Sequence, residues 1–139
     1  MSDWSNRFTV IPHAEDGRDR DGADCLGLVR IIYAEMLGIT LPDYLGRVCE
    51  AEHAEIEARL KGETSSIDWR PVERGEERAF DLLTFMRGPW VRHLGVVVRP
   101  GLMIHAAPHV GASLAPYDYG YWNSRFNGLH RHVLTGGSA

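Results

Sequence analysis

The chain has 139 residues, of which 44% are hydrophobic and 24% are charged, and its formal net charge at pH 7 is −4. A chain of this length can bury one substantial core, so we predict a single domain over residues 1–139. The acidic balance and the lack of a Lys/Arg-rich run exclude a typical nucleic-acid or anionic-membrane binder. No apolar run is long enough to cross a bilayer, so we expect no membrane insertion.

The N-terminal sequence Met1-Ser-Asp-Trp-Ser-Asn-Arg lacks the positive region and apolar stretch of a secretory signal. We therefore expect synthesis in the cytoplasm without a signal peptide and without ordinary secretion. A substrate outside the cell would then require another means of transport.

The cysteine and histidine spacing argues against disulfides and metal sites. Cys25 and Cys49 form no CxxC pair, and we expect no disulfide. The seven histidines include no HExxH motif and no Cys/His pair at zinc-finger spacing. Because a structural zinc site needs four convergent ligands, we expect no metal and no cofactor.

The first half of the chain is predicted to be helical after a loop. Residues 1–23 are polar and rich in Gly, Asp and Arg, which indicates an N-terminal loop with little regular structure. Apolar residues at 25, 28, 29, 32, 33 and 36 predict an amphipathic helix from Cys25 to Leu37. Asp24 stands at the N-cap position and Gly38 where the helix should end. A second, charged helix is predicted from about Val48 to Lys61.

The second half is predicted to be a sheet. Runs of apolar and β-branched residues predict five strands, at Ile67–Val72, Ala79–Met86, His93–Val98, Leu102–Ala106 and Leu129–Leu134. Residues 135–139 form a frayed tail in this prediction. Helices followed by an antiparallel sheet indicate an α+β fold.

Cys25 is the first residue that suggests chemistry. It opens the predicted helix, where unpaired N–H groups and the helix dipole favour the thiolate, the reactive form of cysteine. Gly27 leaves room for a substrate backbone to approach. A cysteine is more often a small buried hydrophobe, and we interpret Cys49 in that way.

His93 and His105 are candidate partners of the thiol. A hairpin across Arg99-Pro-Gly is expected to join their strands. If its loop has an odd number of residues, His93 and His105 share a face as diagonal neighbours; a two-residue Pro100-Gly101 turn would place them on opposite faces. A cysteine nucleophile needs an imidazole base, and the base needs an orienting group. The remaining histidines considered are interpreted as polar residues at sheet edges: His53, His109, His130 and His132.

These motifs together resemble the NlpC family of cell-wall peptidases, which have a reduced papain-like fold. The resemblance rests on Asp24-Cys25-Leu26-Gly27-Leu28-Val29 at a helix start, His93-Leu94-Gly95-Val96 in a strand, and Met103-Ile104-His105-Ala106 in the next strand. Asp81-Leu82-Leu83-Thr84-Phe85 is similar to the strand that precedes the family's histidine. The order and spacing agree over roughly residues 12–106.

The resemblance implies roles for individual residues. Cys25 is the implied nucleophile, His93 the general base and His105 the orienting residue. The backbone N–H of Cys25 is the implied oxyanion donor, and His13, Asp24 and Gly27 are candidates for substrate or oxyanion contacts. The implied substrate is a peptidoglycan stem peptide, and the implied reaction is cleavage of an amide through a Cys25 thioester.

The chain is also similar to the phage-tail and gene-transfer-agent branch of the family. The signs are Gly-Leu-Val-Arg-x-x-Tyr in the helix, Gly38-Ile-Thr-Leu-Pro42 after it, and the closing Tyr121-Trp-Asn-Ser-Arg-Phe. This similarity implies assembly into a phage-like tail particle, tail proteins as partners, and opening of the cell wall during DNA delivery.

Three positions depart from the family pattern. Leu26 replaces the usual Ser or Trp, Phe80 replaces Gly, and His13 stands near the position where many members carry a tyrosine. They leave a second hypothesis open, a tail component that keeps the fold without useful catalysis and docks through the aromatic cluster Tyr117–Trp122. Ordinary packing of that cluster is the alternative. Acyl transfer on the same three residues is a third hypothesis.

Overall fold

We describe the protein from a computed structural model, which covers residues 4–14, 17–41, 69–88, 90–107 and 109–133. The elements in these ranges follow chain order: a 3₁₀ turn at Trp4–Arg7, β1 (Arg18–Asp19), β2 (Gly22–Ala23), α1 (Cys25–Ile32), a π-helical turn at Tyr33–Leu37, β3 (Trp69–Val72), β4 (Leu82–Arg87), β5 (Trp90–Arg99), β6 (Leu102–Ala107), β7 (Gly111–Pro116), α2 (Gly120–Asn123) and β8 (Phe126–His132). The second predicted helix, with Cys49 and His53, and the predicted tail lie outside the described residues.

The larger sheet has the order β3-β8-β4-β5-β6-β7, and its described strand pairs are all antiparallel. α1 packs against β5 and β6. Successive residues of these strands alternate between two apolar cores, as the pleat of a strand requires. The helix-side core contains Leu94, Val96 and Ile104 together with α1, and the opposite core contains Val97 and Met103.

The predicted helix from Cys25 to Leu37 is confirmed, with a change of type. Its last turn is π-helical, and Gly38 ends it at φ 68, a left-handed conformation that costs glycine least. The Gly38 N–H donates to Tyr33 O, which satisfies one of the last carbonyls.

Within the described residues, the predicted N-terminal loop contains only short elements. β1 and β2 form a small hairpin there, and Asp19 Oδ1 accepts the N–H of Asp21 at 3.0 Å across its turn. The backbones approach so closely that a Cβ added to Gly17 would lie 2.3 Å from the carbonyl oxygen of Gly22. The short polar sequence hides this hairpin because it carries no apolar alternation.

Three sheet predictions need correction. The strand predicted from Ala79 begins at Leu82, because Phe80 has φ 77 and the Asp81 N–H turns back to Arg78 O. β7 was not predicted. β8 lies between β3 and β4, so His130 and His132 are on an interior strand and not at a sheet edge; His132 is buried.

The β5–β6 hairpin determines whether His93 and His105 lie on the same face of the sheet. Val96 pairs with Ile104 and Val97 with Met103, but Arg99 pairs with Leu102, so one extra residue is inserted on β5. The loop is the short Pro100-Gly101 turn, and the bulge at residue 98 restores the odd spacing. Extending the Val96 register places residue 95 opposite residue 105, as the prediction required.

An ion pair between the buried Asp81 and the partly buried Arg131 joins β8 to the start of β4. Arg131 Nε and Nη2 donate to the two carboxylate oxygens of Asp81 at 2.8 and 2.7 Å, and the Arg78 N–H donates to Oδ2 at 2.8 Å. The Asp81 side chain is 1% exposed. Such a bidentate, hydrogen-bonded geometry meets the conditions under which a buried ion pair is tolerated.

We predict that Arg131→Leu lowers the unfolding free energy by about 3–5 kcal/mol at pH 7, because it leaves the Asp81 carboxylate buried without its partner. Urea unfolding monitored by circular dichroism measures this loss. The matched control is Glu35→Gln, which breaks the exposed ion pair to Arg20 and should cost less than about 1 kcal/mol. Similar losses in the two variants would contradict the prediction.

Candidate active site

Asp24 fixes the start of α1. Its backbone is extended, and its Oδ1 accepts the N–H of Gly27 at 2.8 Å, the geometry of an N-cap. Both residues are buried. The predicted cap is confirmed, and it engages the Gly27 N–H. A substrate or oxyanion role for Asp24 and Gly27 stays a prediction.

Cys25 is the first residue of α1 and is 8% exposed. Among the described residues it forms no disulfide. It belongs to the helix-side core together with Leu94 and Ile104, the chain neighbours of His93 and His105. The sulfur therefore lies at the positive end of a helix that packs against the two histidine-bearing strands.

His93 and His105 are in direct contact. His93 Nε2 lies 2.9 Å from His105 Nδ1, a hydrogen-bond distance. If His93 donates from Nε2, its Nδ1 carries the lone pair that can accept a proton, and His105 then carries its own hydrogen on Nε2. The predicted diagonal contact is confirmed, while the catalytic roles of the two residues stay predictions.

Two aromatic side chains, Trp122 and Phe85, pack beside this imidazole pair. The indole of Trp122 stacks on His93 with a centroid distance of 4.7 Å and an interplanar angle of 17°, and it meets His105 edge to face at 5.0 Å. The ring of Phe85 lies 6.2 Å from His93. Trp122 and Phe85 belong with the opposite core.

Burial dominates the electrostatics of the pair. It lowers the pKa of His93 to about 3, with smaller contributions from the positive charges of His105, Arg87 and His13. Burial also lowers the pKa of His105 to about 4. Both rings are therefore neutral at pH 7.

His13 lies on a short segment between β2 and β7. It forms a parallel bridge with Ala23, and the neighbouring Ile11 carbonyl accepts the N–H of Ala112 at 3.0 Å. Gly111 permits this approach, because a Cβ there would lie 2.9 Å from the Ile11 oxygen. Through this segment the structure brings His13 within electrostatic range of His93.

The other two departures from the family pattern have separate surroundings. Leu26 is 1% exposed in the helix-side core. Phe80 adopts φ 77, a conformation that a bulky residue rarely takes and that glycine takes readily, in agreement with the glycine that the resemblance implies at this position. Its ring stacks on Trp4 at 4.5 Å, and its carbonyl accepts the Tyr33 hydroxyl hydrogen.

Within the described ranges, no three His, Cys, Asp or Glu residues are placed to hold a metal ion. No helix in that part of the chain has the length and apolar character to cross a membrane.

Comparison with known proteins identifies the family. The NlpC/P60 family model matches residues 12–131. The chain belongs to this family. Over 130 residues the chain is 25% identical to the murein DD-endopeptidase MepS/murein LD-carboxypeptidase of Escherichia coli K12. The matched region covers 94% of this NlpC/P60 chain and 58% of the E. coli protein. A probable endopeptidase of Haemophilus influenzae is 23% identical over 128 residues, covering 91% of the chain and 69% of that protein.

Solved structures agree on the fold. An NlpC/P60 family protein from Bacillus cereus superposes with a TM-score of 0.66 and 20% identity, over 92% of this chain and 37% of that one. The NlpC/P60 domain of the peptidoglycan hydrolase SagA gives a TM-score of 0.59 and 18% identity, over 90% and 89%. The predicted α+β, papain-like NlpC fold is confirmed.

Sequence reasoning missed the position of Trp122. The sequence pattern indicates a sign of one family branch and a cluster for docking or packing, whereas the Trp122 indole stacks on His93. An aromatic residue far along the chain from His93 carries no local signal for this contact.

We predict that the protein loses stability as the pH falls from about 6.5 toward 4. Unfolded histidine titrates near 6.5, whereas His93 and His105 remain neutral in the folded chain down to about 4 and below. The unfolded chain therefore binds protons first, and each histidine removes up to about 1.4 kcal/mol of unfolding free energy per pH unit in this window. Urea unfolding at several pH values measures the slope.

The variant His105→Gln removes one of these two titrating side chains and should therefore reduce the slope of the unfolding free energy against pH. His109→Asn, on an exposed turn with φ 67 that asparagine tolerates, is the control and should retain the wild-type slope. Equal slopes for wild type and His105→Gln would argue against the prediction.

Proposed function

We propose that this protein is a peptidoglycan hydrolase that cleaves a stem-peptide amide, with Cys25 as nucleophile, His93 as general base and His105 as the residue that orients His93. The observation that carries the proposal is the 2.9 Å contact of His93 Nε2 with His105 Nδ1, on strands against which the helix of Cys25 packs. A base held by a third group is the arrangement that activates a thiol.

The proposed reaction has two halves. The Cys25 thiol gives its proton to His93 Nδ1 while sulfur attacks the amide carbon, and the resulting imidazolium protonates the leaving amine as the C–N bond breaks. Water then attacks the thioester carbon while His93 accepts a proton from the water, the C–S bond breaks to release the carboxylic acid product, and His93 returns the proton to the Cys25 sulfur. N–H groups in the first turn of α1 are suitable donors for the oxyanion, and His13 is a further candidate.

The two cores set a geometric condition on this proposal. Cys25 packs with the helix-side core, whereas the rings beside His93 belong to the opposite core. The proposed meeting of thiol and imidazole therefore requires a change of side-chain direction near His93, which is the fourth residue of β5. Two features favour such a meeting: Cys25 is the first residue of α1, and the β4–β5 pairing shifts register next to the Phe85–His93 pair.

The substrate proposal draws on the relatives. The E. coli protein is named a murein endopeptidase and carboxypeptidase, and SagA a peptidoglycan hydrolase. The chain spans 58% of the E. coli protein's length, so the activity of that whole protein supports a class of substrate and not a particular bond. Endopeptidase action on the stem peptide is the proposal that follows.

We propose in addition that the enzyme is carried by a phage-like tail and opens the cell wall during DNA delivery. The support is the resemblance of the Gly-Leu-Val-Arg-x-x-Tyr helix and the Tyr121-Trp-Asn segment to that branch. If so, antibody against the protein should detect it in purified tail particles after density-gradient sedimentation. Its absence from those particles, with activity in the free fraction, would contradict the tail proposal and leave the hydrolase proposal intact.

A catalytically impaired tail component is the second candidate. Two features favour it: Phe80 occupies a glycine-like conformation next to the strand that faces His93, and His13, which lies within electrostatic range of His93, stands near the position of a common family tyrosine. Such a protein would keep the fold but fail to hydrolyse murein.

We predict that Cys25→Ala abolishes release of murein fragments. Removal of the nucleophile should reduce the rate roughly a thousandfold or more and leave the melting temperature nearly unchanged. Mass spectrometry of purified murein after incubation measures the products and identifies the bond cleaved. Equal activity in wild type and Cys25→Ala would remove the hydrolase proposal.

Thiol labelling separates the enzyme from the impaired component. In a Cys49→Ser background, Cys25 should react with iodoacetamide at pH 5.5 at least roughly tenfold faster than a cysteine in a short peptide, because the proposed base His93 removes the thiol proton as sulfur attacks the reagent. His93→Gln should abolish this excess, and the control His109→Asn should retain it. A thiol that reacts as the peptide does would favour the impaired component.

A further inference from the structure

We propose that Trp122 is a positioning residue of the reaction: its indole covers one face of the His93 ring, holds that ring in the plane from which Nε2 reaches His105, and keeps water from the pair. This inference rests on the hydrolase function proposed above. It assigns to the closing aromatic segment a role other than packing or docking.

The Trp122 indole lies flat against one face of the His93 imidazole. The two rings are nearly parallel, at 17°, with centroids 4.7 Å apart, so the indole lies across the imidazole face. A rotation of the imidazole about its Cβ–Cγ bond would drive the ring into the indole. The edge contact of the same indole with His105 at 5.0 Å and 72° means that one side chain restrains both rings.

Trp122 is itself held firmly. The ring of Phe85 meets it edge to face at 5.0 Å, and the N–H of Met86 donates to the Arg125 carbonyl at 2.7 Å, which joins the turn after α2 to β4. The Arg125 N–H in turn donates to Trp122 O at 3.0 Å. These bonds lie where β4 shifts register, between Phe85 and Met86 on the β5 side, and a shift of this kind redirects neighbouring side chains.

The indole acts on both protonation states of His93. It removes water from the neutral ring, which disfavours the cation before substrate binds. It also presents a negative π face to the ring, which supports the imidazolium once a thiolate has formed. A cover of this kind therefore suits a base that must be neutral at rest and positive only during the reaction.

Three charged or titratable groups on the neighbouring elements act on His93. His105 is on β6, Arg87 at the end of β4, and His13 on the segment beside β2; all three disfavour a positive charge on His93. Burial is nevertheless the largest cause of the low pKa of His93. Removal of the indole should therefore affect the titration of His93 more than the loss of any one distant charge.

The test uses Trp122→Ala, Trp122→Phe and Trp122→Leu in the full chain, with Tyr119→Ala as the control. Tyr119 precedes α2, is 66% exposed and makes no side-chain cap. The first measurement is the NMR titration of the His93 ring, which requires no activity. The apparent pKa should rise by about one unit or more in Trp122→Ala, stay within a few tenths of wild type in Trp122→Phe, and not change in Tyr119→Ala.

The second measurement is the pH profile of kcat/KM on murein. Trp122→Ala should lose roughly tenfold to a hundredfold, with its acidic limb displaced in the same direction as the titration, and Trp122→Phe should recover most of the activity. Trp122→Leu keeps apolar cover without a flat ring, so its titration should stay low while kcat/KM falls roughly tenfold. A merely structural tryptophan would change the melting temperature without moving the His93 titration.

The outcomes separate the two proposals. An unchanged His93 titration in Trp122→Ala overturns the positioning role, even if murein is cleaved. If Trp122→Ala does not fold, wild-type kcat/KM in Trp122→Leu overturns it. If the His93 pKa shifts in Trp122→Ala but the wild-type protein never cleaves murein, the result supports the contact of Trp122 with His93 and contradicts the hydrolase function.

Discussion

The site depends on one backbone feature, the residue inserted in β5 next to the Pro100-Gly101 turn. A two-residue turn between regular strands would place His93 and His105 on opposite faces of the sheet. The bulge changes the parity, so that the two rings share a face and meet at 2.9 Å. Because side chains alternate at every residue, no adjustment of rotamers can replace this insertion. The hydrogen bond between the two imidazoles is therefore set by backbone register.

The rest of the sheet holds that register in place. β4 lies beside β5 and is anchored at its start by the bidentate pair of Asp81 and Arg131. Just before this anchor, Phe80 holds a left-handed backbone that costs a bulky residue roughly 1 kcal/mol or more. Its N–H donates to Val97 O and its ring stacks on Trp4, contacts that offset the strain. At its other end β4 shifts register, and there the turn after α2 brings Trp122 over His93. One strand thus connects the buried ion pair with the aromatic cover.

Local signals in the sequence were enough to predict α1, its Asp24 cap and its Gly38 end, because capping and helical periodicity depend on near neighbours. The strands of His93 and His105 and the family followed from short motifs. β7 and the interior position of β8 could not be predicted, since the apolar alternation of Gly111–Pro116 is weak and strand order depends on long-range pairing. The orphan ring nitrogens of His130, which find no partner in the described structure, follow from that interior position. Trp122 was missed for the same reason, because its contact joins residues 29 positions apart.

The low pKa of His93 is compatible with its proposed role as a base. A pKa of about 3 describes a ring buried among neutral and positive groups. A thiolate within about 4–6 Å adds an opposite charge, which favours the imidazolium and raises that pKa. The N-terminus of α1 carries the equivalent of roughly half a positive charge and stabilises the same thiolate. In the proposed mechanism, proton transfer from Cys25 to His93 therefore creates the negative charge that stabilises the transferred proton on His93. In this proposal, the buried His93 ring accepts a proton only when the Cys25 sulfur lies beside it. The negative charge that makes this protonation favourable is then the thiolate at the start of α1.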